Sequence, residues 1–285
     1  MDVSVIIPVH NNENTLIRAM ESVLSQITNN DELIIVINGS TDNSESIAQK
    51  YVYDDRVKII QSQSGRSRAR NKGIASARGK FLNFLDADDM MMPNHIKHAK
   101  KFLVNNGDYD AYTDETLVVN GNRQYVSIKY TPQTTSLHLS HNNIFEVGSV
   151  MFKNKNIIPF IDELEYNEDY VFWIDNLMGK KVFFNSTFIG VHKFIDGNNT
   201  MIKNRNDMIA TQIIVIAILK QKKVLKNSFN YIELTKRVLK FLLGDSSNEE
   251  RLLAIVNSQF RLIVVLSKVI LKMPIIGKIV VLHYS

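Results

Sequence analysis

Short apolar runs alternate with amphipathic stretches through residues 1–110. Four of the runs have the length and composition of buried strands: Val3–Ile7, Glu32–Ile37, Val57–Ile60 and Phe81–Leu85. Between the first two runs, apolar residues recur at helical spacing from Glu13 to Gln26. Strands that alternate with helices are typical of βαβ units, so the pattern predicts an α/β domain with a mainly parallel sheet flanked by helices.

The pattern is mixed through residues 111–205 and then changes. Asn120-Gly121 lies between two apolar runs and predicts a hairpin. Three further elements are predicted: a strand at Val147–Lys153, a helix at Asn167–Met178 and a strand at Val182–Phe184. From residue 206 the chain becomes helix-like and rich in Ile, Leu, Val and Lys. We therefore expect one domain over residues 1–205, with halves 1–110 and 111–205, and a separate C-terminal helical region over residues 206–285.

The composition is that of a globular protein with a sizeable core, since 45% of the 285 residues are hydrophobic and 22% are charged. The chain has no cysteine, which excludes disulfides and cysteine-ligated zinc. Its net charge of +5 suits an anionic ligand or membrane surface as well as nucleic acid. Because no signal peptide is visible and no unbroken apolar run reaches about 18 residues, we expect the protein to be retained in the cytoplasm.

Three carboxylates lie within four positions directly after the fourth predicted strand, in Asp86-Ala87-Asp88-Asp89. Such crowding of like charge is costly unless a cation lies among the carboxylates. Mg²⁺ and Mn²⁺ prefer oxygen ligands and bind one or two carboxylates together with substrate phosphates. We predict direct coordination of the metal by Asp88, with Asp86 binding the metal through water or binding a ribose. A metal-free, Asp-rich surface turn is the alternative.

Arginines occupy alternate positions at Arg66, Arg68 and Arg70, between Gly65 and Gly73. The segment opens a predicted helix. Helix amino ends attract anions, and arginine binds phosphate in a bidentate manner. We therefore predict that the segment neutralises a diphosphate beside the carboxylates, with a solvated basic loop as the alternative. A nucleic-acid site is disfavoured because no aromatic side chains are interleaved with the arginines.

Two further carboxylates, Glu168 and Asp169, lie in the first turn of a predicted helix. The helix dipole favours the ionised form of a carboxylate at that position. An ionised carboxylate is the group needed to take a proton from a hydroxyl nucleophile. The alternative is that both residues only stabilise the helix.

Five segments, in order along the chain, resemble a known family: residues 5–12 (VIIPVHNN), 35–42 (IVINGSTD), 69–74 (ARNKGI), 84–89 (FLDADD) and Glu168-Asp169. Together they are similar to the inverting nucleotide-sugar glycosyltransferases of family 2, and the resemblance covers residues 1–200. It implies a GT-A fold, a Rossmann-like mixed and mainly parallel sheet. It also implies transfer of a hexosyl or N-acetylhexosaminyl group from a nucleotide-sugar, with UDP-sugar as the expected donor, to a hydroxyl of a glycan, lipid-linked glycan or cell-surface polymer.

The resemblance assigns roles by position. The residues that it places at the donor nucleotide or its diphosphate are Pro8, Val9, His10, Asn38, Arg70, Asp86 and Asp88. Arg66 is a further candidate for the diphosphate from the arginine pattern, and Arg66 and Arg68 make this loop more basic than is typical of the family. Asp86 and Asp88 form the DxD signature that holds Mn²⁺ or Mg²⁺, and His192 is a further metal or diphosphate contact. Asp169 is the implied catalytic base, with Glu168 beside it on the acceptor side.

The chain departs from the family pattern at the nucleotide base. Asn38 stands where an Asp usually accepts a hydrogen bond from the base, and His10 replaces the more usual Tyr. An amide oxygen still accepts a hydrogen bond, and an imidazole ring still stacks on a base, so uracil remains compatible with both substitutions. The histidine pairs His95/His98 and His138/His141 are interpreted as partly exposed helix or loop residues rather than metal ligands.

A basic stripe crosses an otherwise apolar segment, residues 261–285, because Arg261, Lys268 and Lys272 fall on one side of a helix. This pattern suits a helix in the membrane interface, which would place the protein at the inner face of the cell membrane. Together with that position, the family resemblance implies a role in the biosynthesis of a cell-envelope polysaccharide. The alternative is a helix that packs on the first domain or on a second subunit of a homo-oligomer.

Two other functions remain open. A nucleotidyltransferase would share the fold and the acidic metal ligands. It would also be expected to carry a glycine-rich, lysine-bearing loop after the first strand, whereas residues 8–12 contain neither residue type. A non-catalytic module that binds a sugar-nucleotide or carbohydrate is the other alternative.

Overall fold

The computed structural model describes residues 1–126, 139, 143–164, 166–195, 211–213, 215–216 and 218–220. The chain divides into two compact units, Met1–Asp196 and Gly197–Ser285. The described residues between 211 and 220 are helical. The predicted boundary at residue 205 and the helical character of the whole region 206–285 remain predictions, and residues 261–285 lie outside the described residues.

Nine strands and five helices are described in the first unit. The strands are β1 Val3–Val9, β2 Glu32–Asn38, β3 Val57–Ser62, β4 Phe81–Phe84, β5 Met90–Met91, β6 Ala111–Asn120, β7 Arg123–Val126, β8 Val150–Lys153 and β9 Val182–Ile195. The helices are α1 Leu16–Leu24, α2 Ser44–Gln49, α3 Arg66–Ser76, α4 His95–Asn105 and α5 Glu168–Leu177. A 3₁₀ turn at Val147–Ser149 precedes β8, within the range predicted as strand.

The strands form one mixed sheet in the order β3-β2-β1-β4-β8-β6-β9-β5, with β7 paired to β6. The strands β1, β2, β3 and β4 are parallel, and β8 runs antiparallel to both β4 and β6. Almost every residue of β1, β2 and β4 is buried, which explains why these strands are continuous apolar runs in the sequence. The apolar stripe of α1 is also buried. Because β1, β2 and β4 are parallel, their carboxyl ends meet at one edge of the sheet.

The largest difference from the sequence prediction concerns the length of β9. This strand continues to Ile195 instead of ending at Phe184. Its parallel partner β6 extends as far as Asn120, and the pairing contains bulges between Asp114 and Thr116. Polar residues interrupt the apolar pattern of β9, so the local sequence does not indicate a long strand. The backbone pairing with β6, which is distant in sequence, supports it instead. The predicted hairpin is confirmed, since Asn120 pairs with Arg123.

His95 corrects one sequence interpretation, because it is completely buried rather than partly exposed. Its Nδ1 lies 2.7 Å from Asp114 Oδ2, and its Nε2 lies 2.9 Å from Asn83 Oδ1. These partners come from β6 and β4, so local sequence gave no sign of them. His98 is exposed and contacts the ring of Phe188, and the pair His138/His141 lies outside the described residues.

A glycine in α3 allows this helix to lie close to β1. A Cβ atom added at Gly73 would stand 2.4 Å from Cγ2 of the buried Ile6. The helix could not keep its position with any larger residue there. The close approach also sets the place of Arg70, which lies one turn earlier in α3.

The variant Gly73→Ala is expected to lose about 1–3 kcal/mol of unfolding free energy, because the added methyl group overpacks the contact with Ile6. Urea denaturation followed by circular dichroism measures the loss. Gly107→Ala is the control, since a Cβ at that position meets nothing within 4 Å. Equal midpoints for Gly73→Ala and the wild type would show that α3 can move away from β1 without cost.

Candidate active site

The loop after β4 gathers three carboxylates at the edge where β1, β2 and β4 end. One ligand oxygen from each of Asp86, Asp88 and Asp89 lies within 4.8 Å of the others. Burial alone would raise the pKa of Asp86, but the guanidinium groups of Arg70 and then Arg66 outweigh it and hold that pKa below its usual value. Burial, followed by the charges of Asp86 and Asp88, raises the pKa of Asp89 well above its usual value. This concentration of negative charge, with hard oxygen donors close together, fits a divalent cation.

Two hydrogen bonds fix the loop from outside, and a third contact links their two donor residues. The Phe194 N–H donates to Asp89 Oδ1 at 3.0 Å, so Asp89 is tied to the end of β9. Arg18 of α1 donates from Nη2 to the backbone oxygen of Asp88. The Arg18 guanidinium lies 3.9 Å from the centre of the Phe194 ring, a cation–π contact. Asp89 is buried, whereas Asp86 and Asp88 are partly exposed, so the latter two are the better candidates for metal ligands.

Arg70 joins the carboxylate loop to α5. Its side chain is 1% exposed, and Nη2 donates to Asp86 Oδ1 at 2.8 Å while Nη1 donates to Glu168 Oε1 at 2.7 Å. The predicted contact of Arg70 with a diphosphate stays a prediction, since both terminal nitrogens already bind carboxylates. Arg66 Nη1 lies 3.6 Å from Glu168 Oε1, and the Arg66 side chain is 42% exposed. Arg66 is therefore more accessible to an anionic ligand than Arg70.

The two carboxylates at the start of α5 have different surroundings. Glu168 is buried and paired with Arg70. Asp169 Oδ2 accepts a hydrogen bond of 2.8 Å from Asn143 Nδ2. Burial, and then the charge of Glu168, raises the pKa of Asp169 to about 6, while Arg70 and Lys193 act in the opposite direction. Asp169 can therefore exchange a proton near neutral pH, whereas Glu168 is held by an ion pair.

The ends of β1 and β2 bring together the residues predicted to bind the nucleotide base. His10 Nδ1 lies 2.8 Å from the backbone oxygen of Asn38. Val9 and Asn38 are buried, Pro8 is partly buried and His10 is exposed. Asn38 is 5% exposed, and its Oδ1 has no hydrogen-bond partner. A buried acceptor without a partner costs about 1–3 kcal/mol, so a ligand N–H would stabilise this position.

Lys193, rather than His192, is the residue of β9 whose side chain lies near the carboxylate loop and Glu146. Burial alone would lower the pKa of Lys193, but the carboxylates of Glu146, Asp89 and Asp86 raise it, and its Nζ lies 2.6 Å from Glu146 Oε2. His192 pairs with Met90 across the β5–β9 ladder, and only burial lowers its pKa. Successive residues of a strand point to opposite faces, which explains the difference. The predicted metal contact of His192 stays a prediction.

The family model described as Glycosyl transferase family 2 matches residues 4–158, which is more than half of the chain. The chain belongs to this family. The match includes the residues predicted to bind the nucleotide base, Arg70 and the carboxylate loop, and it ends before Glu168 and Asp169.

Curated glycosyltransferases are also similar to this chain. An uncharacterized glycosyltransferase of Rickettsia typhi is 28% identical over 212 residues, which cover 70% of this chain and 65% of the relative. The minor teichoic acid biosynthesis protein GgaA of Bacillus subtilis is 36% identical over 154 residues, which cover 51% of this chain and 32% of GgaA. The chain therefore spans less than two thirds of the length of these relatives.

Solved structures support the fold. The crystal structure of S. aureus TarS 1–349 in complex with UDP-GlcNAc matches with a TM-score of 0.66 at 19% identity, and the match covers 100% of this chain and 89% of that one. The fold is therefore GT-A, as the resemblance implied. Among the described residues, no helix has the length and apolar character needed to span a membrane.

Proposed function

We propose that this family 2 protein is an inverting, metal-dependent glycosyltransferase that moves a sugar from a UDP-sugar to a hydroxyl group. One observation carries the proposal: Arg70 binds Asp86 and Glu168 at the same time and so holds the carboxylate loop beside the start of α5. The candidate cation site and the candidate proton acceptor are thereby linked through one side chain, and the proposed chemistry needs the two groups close together.

The donor would bind along the ends of β1, β2 and β4. The unpartnered Oδ1 of Asn38 suits the N–H of a uracil ring, and His10, which contacts the backbone of Asn38, would stack on the base. TarS structures carry UDP-GlcNAc and UDP, and they support UDP-N-acetylhexosamine as the first donor to test. Arg66 would neutralise part of the diphosphate.

A divalent cation, Mn²⁺ or Mg²⁺, would be held by Asp86 and Asp88 and would supply Lewis-acid stabilisation of the departing diphosphate. Residues of the chain would keep these two ligands ionised and in position. Arg70 keeps Asp86 ionised and oriented, while Phe194 and Arg18 hold the loop in place.

Asp169 would act as the base. The acceptor oxygen attacks the anomeric carbon, the bond from that carbon to the diphosphate oxygen breaks, and the hydroxyl proton passes to a carboxylate oxygen of Asp169. Attack from the face opposite the leaving group inverts the configuration. With a pKa of about 6, Asp169 is mostly ionised at neutral pH and is still basic enough to take the proton.

The acceptor is proposed to be a glycan, a lipid-linked glycan or a cell-surface polymer, in line with the teichoic acid role in the name of GgaA. Such an acceptor would place the enzyme at the inner face of the cell membrane. The predicted membrane contact of residues 261–285 belongs to this proposal.

Calorimetry and thermal shift with nucleoside diphosphates test the donor half of the proposal. Saturating UDP with Mn²⁺ is expected to raise the Tm by about 5 °C or more, and ADP is expected to do less. Asn38→Leu should weaken UDP binding by about 10-fold because it removes the base acceptor. Asn30→Ala, an exposed change in the turn before β2, is the control. Absence of binding by any nucleoside diphosphate would refute the proposed function.

A further inference from the structure

Asn143 lies on the segment that leads into β8 and contacts the proposed base. Its Nδ2 donates to Asp169 Oδ2 at 2.8 Å, and its own Oδ1 accepts the Phe145 N–H at 3.3 Å. The second contact fixes the orientation of the amide, because the oxygen must face the N–H and the nitrogen must then face the carboxylate. The Asn143 side chain is exposed, so the contact is accessible to solvent.

The carboxylate of Asp169 is held at both oxygens. Its Oδ1 accepts the N–H of Tyr170 at 2.8 Å, and its Oδ2 accepts Asn143. The torsion that rotates a carboxylate about its last bond is soft, so one hydrogen bond alone would leave the plane poorly defined. Each carboxylate oxygen keeps a further lone pair that a substrate hydroxyl can use.

We infer that Asn143 is a positioning residue that aims the carboxylate of Asp169 at the acceptor hydroxyl, an inference that rests on the proposed function. Asn143 acts through Asp169 and takes no proton itself. Sequence patterns do not indicate this role of Asn143, because Asn143 and Asp169 are 26 positions apart and belong to different segments of the fold.

The neutral side chain of Asn143 matters because the base is already surrounded by charges. Glu168 lies on the same helix, Arg70 on α3, Lys193 on β9 and Glu146 on the segment of Asn143 itself. A lysine or arginine in place of Asn143 would pair with the base and make it a weaker proton acceptor. An aspartate would add a further like charge. An amide orients the carboxylate and leaves the net charge unchanged.

Steady-state kinetics of Asn143→Ala test the inference. At saturating donor, kcat is expected to fall by about 10- to 100-fold because the base is misaligned. The donor KM should stay within about twofold, since Asn143 has no part in the donor site. The acid limb of the pH profile should move to higher pH, because a hydrogen bond to the ionised form is lost. Asn105→Ala, an exposed change on α4, should alter none of these quantities.

A double variant separates positioning from a structural effect. If Asn143 acts through the base, Asn143→Ala should cause little further loss of kcat when Asp169 is already Asn. Multiplicative losses in the double variant, or wild-type kcat for Asn143→Ala, would overturn the inference.

A ¹³C NMR titration of the Asp169 carboxyl provides a readout that needs no transfer. Its midpoint is expected to rise in Asn143→Ala and to stay unchanged in Asn105→Ala. An unchanged midpoint in Asn143→Ala overturns the inference, even if the wild type transfers no sugar. Failure of nucleotide binding in the wild type refutes the proposed function instead, so the two failures are distinguishable.

Discussion

Asp169→Asn is expected to lower sugar transfer by about 10²- to 10⁴-fold, the usual contribution of a general base. The amide keeps the size of the side chain but cannot take the proton of the acceptor hydroxyl. Donor binding should be unchanged, because the base pocket and the carboxylate loop are untouched. Release of UDP in the presence of acceptor measures transfer, and calorimetry with UDP and Mn²⁺ measures donor binding.

Glu163→Gln is the control for this prediction, since Glu163 is an exposed acidic residue shortly before α5. It should retain wild-type transfer. Asp169→Asn with wild-type turnover would mean that another group takes the proton. Glu168 would be a poor substitute, because its carboxylate is buried and paired with Arg70.

Asp88→Ala is expected to abolish the Mn²⁺-dependent part of UDP binding. Loss of an outer-shell partner of a metal typically costs about 10- to 100-fold in affinity, so loss of a direct ligand should cost no less. Asp88 is a sharper test than Asp86, whose removal would also leave Arg70 with one carboxylate instead of two. Calorimetric titration of UDP with Mn²⁺, and with a chelator instead, separates the metal-dependent part.

Asp55→Ala is the control, because Asp55 is an exposed acidic residue before β3. It should bind UDP and Mn²⁺ like the wild type. If UDP binding to Asp88→Ala remains as tight and as metal-dependent as in the wild type, Asp88 is not a ligand. The carboxylate loop would then serve only to hold the fold at the end of β4.

The first half of the sheet could be predicted from sequence because β1, β2 and β4 are buried on both faces. Their apolar runs stand out, and the residues that follow them reach the same edge of the sheet. That alone predicts Asn38 and Asp86 at the same edge of the sheet. The length of β9 could not be predicted, because a ladder with β6 supports a strand with many polar residues.

The site was predicted at the level of residue types but not of pairings. The sequence pointed to Arg70, Asp86 and Glu168 separately. It gave no sign that one guanidinium binds both carboxylates, because that contact depends on how α3 and α5 approach the end of β4. Lys193 was missed for a related reason. Without the full extent of β9, the alternation of its faces could not be followed to that position.

The double pairing of Arg70 has a consequence for how tolerant this site is to change. A guanidinium presents two separate nitrogens in a rigid fork and so spans two anions, whereas the ammonium of lysine is a single compact centre. Replacement by lysine would preserve the charge and still break the link between the carboxylate loop and α5. At position 70, the forked shape of the side chain matters more than its positive charge.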